Sequence, residues 1–267
     1  MMVRSPLINV MVRAAEKAGR APVRDFGEVE QLQVSRKGPG DFVSTADKKA
    51  EDIIRGELSY ARPEYSFLLE EGGKIEGSDT NRRWIVDPLD GTTNFLHGMP
   101  HFAVSIGFEE FGEVVAGVIY DPVKDECFWA EKGKGAFLTD RRLRVSSRTR
   151  LSDAVFATGI PHIGRLEGEG HKRFLRQLEG VMAKTSGVRR WGAASLDLAY
   201  VAAGRYDGFW ESGLSAWDVA AGLIIVKEAG GFVTDNQNRA YKVGEGDIVA
   251  CNAHMHTGLL GLLRGAK

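Results

Sequence analysis

The most reactive side chains stand where an apolar segment stops. In the stretch WIVDPLDGTTNF, the apolar run from Trp84 to Val86 ends in Asp87, and Asp90, Gly91, Thr92 and Thr93 follow at once. Pro88 fixes its own φ and has no N–H, and Gly91 reaches conformations closed to other residues. The sequence therefore predicts a rigid corner on which Asp87 and Asp90 converge. Convergent carboxylates repel, and they stay ionised only with a cation among them. Oxygen donors alone select a hard cation, magnesium, calcium or manganese, over zinc or copper. The register of an EF-hand fails, because Leu89 stands at the third position and Gly91 at the fifth. A helix beginning at Gly91 would turn unpaired N–H groups toward an anion beside that cation, and a cation next to an anion site points to phosphate. The Thr92 hydroxyl could then orient a water, with a carboxylate such as Asp47 taking its proton.

Three further places carry acid at the edge of an apolar element: Asp47, Glu70 with Glu71, and Asp218. Each has a plainer reading. Asp47 suits the first turn of a helix, Asp218 suits the third position of a capping box begun by Ser215, and Glu70 and Glu71 suit a turn before Gly72 and Gly73. Other functions are excluded more firmly. Lys plus Arg number 35 against 36 Asp plus Glu, so no global field favours nucleic acid or a membrane surface. Apolar runs such as LIIV at 223–226 are too short to span a bilayer. The glycine-rich nucleotide loops are absent. Cys127 and Cys251, the only cysteines, sit in strand-like apolar runs and read as packed thiols, and their number fits a reducing compartment. His97 and His101 flank Gly98–Pro100, but imidazole does not suit a hard-cation site. The aromatics of DGFWESGLSAW read as core and pocket wall, and RRLRVSSRTR as a solvated edge.

These side chains need elements to hold them. Apolar spacing predicts a first helix over 5–19, with a polar face that argues against a secretory signal and for the cytoplasm. A strand QLQVS follows, then a helix STADKKAEDIIRGEL with Ser44 or Thr45 as its cap, and the strands SFLL and WIV. From 102 to 138 the pattern is a meander of strands, and beyond about 152 helices over 171–182, 193–203 and 217–229 alternate with strands. The polar, arginine-rich stretch at 141–152 marks a soft boundary between an α+β portion, 1–145, and an α/β portion, 146–267, of one compact unit.

Together DFVSTADKKAEDII, LLEEGG, WIVDPLDGTTNFLHGMP and WESGLSAWDVAAGLIIVKEAGG resemble, in the same order, the motifs of the inositol monophosphatase family of magnesium-dependent, lithium-sensitive phosphatases. The resemblance covers about residues 35–235 and implies a mixed α/β chain in the fructose-1,6-bisphosphatase-like α/β/α/β/α layered sandwich, assembled as a homodimer. It implies two to three Mg2+ ions per subunit. Glu70, Asp87 and the Leu89 carbonyl would hold the first, Asp87, Asp90 and Asp218 the second, and a weaker ion would sit near Glu70. Leu69 replaces the family's glycine before the acidic pair. By the same resemblance Asp47, Thr92 and Glu70 form the catalytic set, and the N–H groups of Gly91 and Thr92 hold phosphate. Substrate hydroxyls would meet Glu211, Asp218 and the backbone of Gly192, Ala193 and Ala194, under a loop bearing Lys37. GTTNF is similar to the inositol and sugar-phosphate branch, so a small-molecule phosphate ester, myo-inositol monophosphate first, is the expected substrate. Histidinol phosphate, fructose 1,6-bisphosphate and the 2′-phosphate of a nicotinamide dinucleotide remain alternatives, as does a macromolecule-binding role on a phosphatase body.

Overall fold

The computed structural model describes residues 4–26, 34–38, 41–161 and 167–265. Helix α1 (Pro6–Asp25) opens the chain with Ser5 as its cap, the Ser5 hydroxyl accepting from the N–H of Ile8, and Pro6 in the first turn. A hairpin of β1 (Val34–Gly38) and β2 (Asp41–Ser44) runs straight into α2 (Thr45–Ala61). Strands β3 (Tyr65–Leu69), β4 (Gly73–Ile75) and β5 (Asp79–Asp90) and the single turn α3 (Thr92–Leu96) follow. The predicted meander is β6 (Ala103–Glu110), β7 (Glu113–Asp121), β8 (Glu126–Glu131), β9 (Gly135–Leu138) and the short β10 (Arg141–Arg142). The remainder runs β11 (Val155–Thr158), α4 (Glu169–Met182), β12 (Gly187–Arg189), α5 (Ala194–Ala202), β13 (Gly208–Ser212), α6 (Ala216–Glu228), β14 (Phe232–Thr234), β15 (Asp247–Cys251) and α7 (Ala253–Gly265).

The larger sheet has the order β10-β9-β8-β7-β6-β5-β3-β4, antiparallel except where β3 lies parallel to β5. The smaller has the order β12-β11-β13-β15-β14, parallel through β12, β11 and β13 and antiparallel beyond. Side-chain alternation along β5 shows how the layers stack. Trp84 and Val86 join Ile8, Met11, Ile54 and Leu58 of α1 and α2 on one face, while Ile85 joins Leu198, Val219 and Ile225 of α5 and α6 on the other. The smaller sheet gives Ala157, Phe209 and Ala250 to that same middle core, and Phe156, Trp210 and Val249 to an outer one with Met255 and Leu259 of α7. The result is five layers, α/β/α/β/α, as expected. The apolar run LIIV lies in α6, buried from Val219 to Val226 because both its sides meet a sheet. Among the described residues no helix is long and apolar enough to cross a membrane.

One expectation changes in detail. WIV does not end before a corner: β5 continues through Asp87 and Pro88 to Asp90, with Asp87 opposite Ser105 and Asp90 opposite Ala103. One extra residue on β5 makes a β-bulge, which accommodates Pro88 inside a sheet and re-aims the side chains beside it. QLQVS is likewise displaced, β1 starting at Val34, with residues 31–33 of the expected strand outside the described set.

Candidate active site

The acids gather at the bulged end of β5. Asp87 is buried, and its Oδ1 accepts the N–H of Leu89 at 3.0 Å, an Asx turn across Pro88. Burial pushes the Asp87 carboxyl well up, and Glu70, Asp90 and Asp218 push it further. No cation stands among these leading influences. Asp90 is pushed up to about 6, first by burial and then by Glu70, against hydrogen bonds from Ser195 that pull it down. Four carboxylates from separate parts of the chain thus share one field: Glu70 after β3, Asp87 and Asp90 on β5, and Asp218 in the first turn of α6. Among the described residues no three acid, histidine or cysteine side chains close to metal-ligand spacing. Asp87 and Glu70 nonetheless approach closely enough to share a hydrogen bond, with Asp90 and Asp218 near enough to raise Asp87 further. An oxygen-only, anionic donor set, buried at Asp87 and half-buried at Glu70, Asp90 and Asp218, fits a hard divalent cation.

Beside this cluster the Thr92 hydroxyl lies 3.1 Å from Asp47 Oδ1 and 3.1 Å from the Leu89 carbonyl. Asp47 is fully buried in the first turn of α2, where the helix dipole favours its charge. Gly91 caps α3 with φ at +94°, and a Cβ there would stand 3.0 Å from the His101 carbonyl. Only glycine meets both conditions.

Asp218 holds the plainer role as well as the interesting one. Its Oδ2 accepts the Ser215 N–H at 2.7 Å, as in the predicted capping box, while its charge reaches Asp87. Gly192, Ala193 and Ala194 lead into α5 next to Ser195, whose N–H and hydroxyl both reach Asp90 Oδ2. Glu211 on β13 fills space that only a glycine at 159 leaves, since a Cβ there would fall 2.0 Å from its carboxyl. Glu70 acts on Asp87 and Asp90, whereas the backbone of Glu71 is held from behind by Glu51. The backbone of Lys37 lies in β1, and its side chain lies outside the described residues.

Four contributors were missed from sequence. Glu51, buried on α2, accepts the N–H of Glu71 at 2.9 Å and that of Gly72, and so pins the turn that carries Glu70. Its signal was position: it lies one helical turn beyond Asp47, on the same face. The Asn94 amide donates to the carbonyls of His101 and Trp191, both at 2.7 Å, tying α3 to the wall at 191–194. Asp197 is a buried acid pushed well up by burial, then by Glu211 and Asp90. Ser195 gave only the weak signal of a serine following Gly192–Ala194.

The remaining candidates are packing groups. His101 is buried against Trp191 and Tyr200, with ring centroids 5.3 and 5.9 Å away, and burial pushes it down to about 4, so it is neutral. Cys127 and Cys251 are buried thiols, each pushed up to about 12 by burial, and so are not nucleophiles. Phe209 and Trp210 are core, and the stretch at 141–150 is mostly exposed.

Known proteins resemble this chain over nearly its whole length. The sequence profile described as the inositol monophosphatase family matches residues 3–266. The chain is 61% identical over 259 residues to an inositol-1-monophosphatase of Mesorhizobium japonicum, covering 97% of this chain and 96% of that one. It is 45% identical to the Nus factor SuhB of Pseudomonas aeruginosa, over 96% and 94% of the two chains. The crystal structure of the extragenic suppressor protein suhB of Bartonella henselae superposes with a TM-score of 0.93 at 58% identity, covering 97% of this chain and 99% of that one.

Proposed function

Because this chain belongs to the inositol monophosphatase family, we propose that its carboxylate cluster is the site at which magnesium-dependent hydrolysis releases phosphate from myo-inositol monophosphate. The chain is a metal-dependent phosphatase, a hydrolase of small-molecule phosphate esters. The observation that best supports the site is Asp87, buried and pressed by three other acids.

Glu70, Asp87, Asp90, Asp218 and the Leu89 carbonyl would hold two to three Mg2+ ions per subunit. When bound, such ions stabilise developing charge and make water a nucleophile at neutral pH. The chain's own groups do the rest. Thr92, bonded to Asp47, aligns the attacking water, and Asp47 receives its proton. The N–H groups of Gly91 and Thr92 hold phosphate oxygens. Glu211, Asp218 and the backbone of Gly192–Ala194 would take substrate hydroxyls, and Lys37 would be a further substrate contact. No covalent intermediate is needed, in keeping with two buried thiols. Lithium sensitivity, a homodimer and a cytoplasmic location complete the reading.

Phosphate release from myo-inositol 1-phosphate tests it, with Asp90→Asn alongside. Several kcal/mol of transition-state stabilisation depends on the ions, so the variant is expected to lose about hundredfold or more. Equal rates in the two proteins would sink the reading. A panel of sugar phosphates, histidinol phosphate and fructose 1,6-bisphosphate ranks the substrates in the same assay, and millimolar lithium should inhibit all of them. A second reading has one observation behind it, the name of the Pseudomonas relative: a partner-binding role on a phosphatase body. On that reading Asp90→Asn keeps the biological role while losing phosphate release.

A further inference from the structure

Asp90 is restrained from an element far away in sequence. Its Oδ2 accepts two hydrogen bonds from Ser195, at 2.7 Å from the backbone N–H and 2.5 Å from the hydroxyl, across 105 residues. The N–H of Ala194 adds a further favourable interaction. Ser195 is fully buried in the first turn of α5. That helix lacks a side-chain cap of its own, since Ala193 stands at the cap position and offers no oxygen. Asp90 therefore supplies the acceptor that a serine or aspartate at the cap would normally supply. Any residue but proline at 195 would offer the N–H, but the second bond needs a side-chain donor such as the hydroxyl.

We infer that Ser195 is a positioning residue: its two hydrogen bonds commit Oδ2 of Asp90 to α5, leave Oδ1 for the cation, and so couple metal affinity to the wall at Gly192–Ala194. The inference rests on the reading of Asp90 as a metal ligand. A carboxylate with both oxygens free swings between orientations, whereas one with an oxygen already engaged meets the ion in a single pose. Outer-shell partners of this kind change metal affinity by about 10- to 100-fold.

The test is Mn2+ binding, followed by the paramagnetic resonance of the free ion, in the wild type, Ser195→Ala, Asp90→Asn and the double variant, all without substrate. Circular dichroism of the metal-free proteins establishes that each is folded. Ser195→Ala is expected to weaken, by about tenfold, the binding that Asp90→Asn removes, and to change nothing further in the Asp90→Asn background. Unchanged affinity in Ser195→Ala, with Asp90→Asn still losing an ion, overturns the inference and leaves the function intact. An equal loss in the double variant overturns it too, since Ser195 would then act on the fold and not through Asp90. Full binding by Asp90→Asn overturns both, because Asp90 would not be a ligand at all.

Discussion

Thr92 has two acceptors within reach and one proton to give. Its hydroxyl lies 3.1 Å from both Asp47 and the Leu89 carbonyl, so it can stay bonded to α2 or to the end of β5 that carries Asp87 and Asp90. Thr92→Val keeps the shape and removes the hydroxyl. General acid–base contributions run to about 10²- to 10⁴-fold, so kcat should fall at least about a hundredfold with KM little changed, while Thr92→Ser retains activity. A loss of only about threefold in kcat for Thr92→Val would remove Thr92 from the reaction. Asp90 allows a test that does not depend on turnover. Its folded-state pKa, raised from 3.8 to about 6, means that the folded chain holds this proton more tightly than the unfolded one. The associated stability is present below about 3.8 and is lost as pH rises through about 6. Asn mimics the protonated acid, so metal-free Asp90→Asn should be more stable than the wild type at pH 7.5, by about 3 kcal/mol. Urea unfolding near pH 4 should show the gap closed. A constant gap would mean that Asp90 is not the group titrating. At this scale the sequence was informative wherever chemistry and spacing coincide, as in Asp87, Asp90 and Thr92. For Ser195 and Glu51 it offered only a neighbouring motif and a shared helix face, and not their partners, which lie 105 and 20 residues away.

Elements explain why these side chains can be aimed at all. Strand β5 is buried on both faces, which made WIV legible as a strand from its apolar run alone. The bulge at its end was not legible, because it depends on pairing with β6, a non-local fact. Helix α6 carries Asp218 and lies close against β6 and β7, where Gly107 and Gly117 have no side chains to hold it off. A Cβ at Gly117 would stand 2.7 Å from the Ala221 carbonyl oxygen and 2.8 Å from its Cα, both backbone atoms that cannot turn aside. Gly117→Ala should therefore cost about 1–3 kcal/mol of stability, by forcing the helix and sheet apart. Phosphate release should fall with it, since lifting α6 withdraws Asp218 from Asp87. Wild-type stability in the urea midpoint would show that the seat of α6 is looser than these contacts require. The sequence alone does not mark Gly107 and Gly117 as a contact surface, since that use depends on which helix lies above them.

The whole molecule gathers charge that no single part could hold. The first turns of α2, α3, α5 and α6 reach the cluster through Asp47, Thr92, Ser195 and Asp218, and each helix N-terminus lends partial positive charge to an acidic site. The two outer helical layers and both sheets serve chiefly to fix those four helix starts around the end of β5. A ligand that joins acids from the larger sheet and the middle layer should therefore stabilise the chain as a unit. At one hundred times its dissociation constant, Mg2+ should add about 2.7 kcal/mol. For a chain of this size that is roughly 5–10 °C in the midpoint of thermal unfolding. The gain must depend on pH, because the ion competes with protons. Burial and the neighbouring acids raise Asp87, and Asp90 is raised to about 6, so at pH 5 Asp90 holds a proton that the ion has to displace, and at pH 7.5 it holds none. Thermal unfolding of chelator-stripped protein, with and without 10 mM MgCl2 at the two pH values, should thus show the larger shift at pH 7.5. A shift of equal size at pH 5, or none at either, would mean that the ion is not bound by these carboxylates.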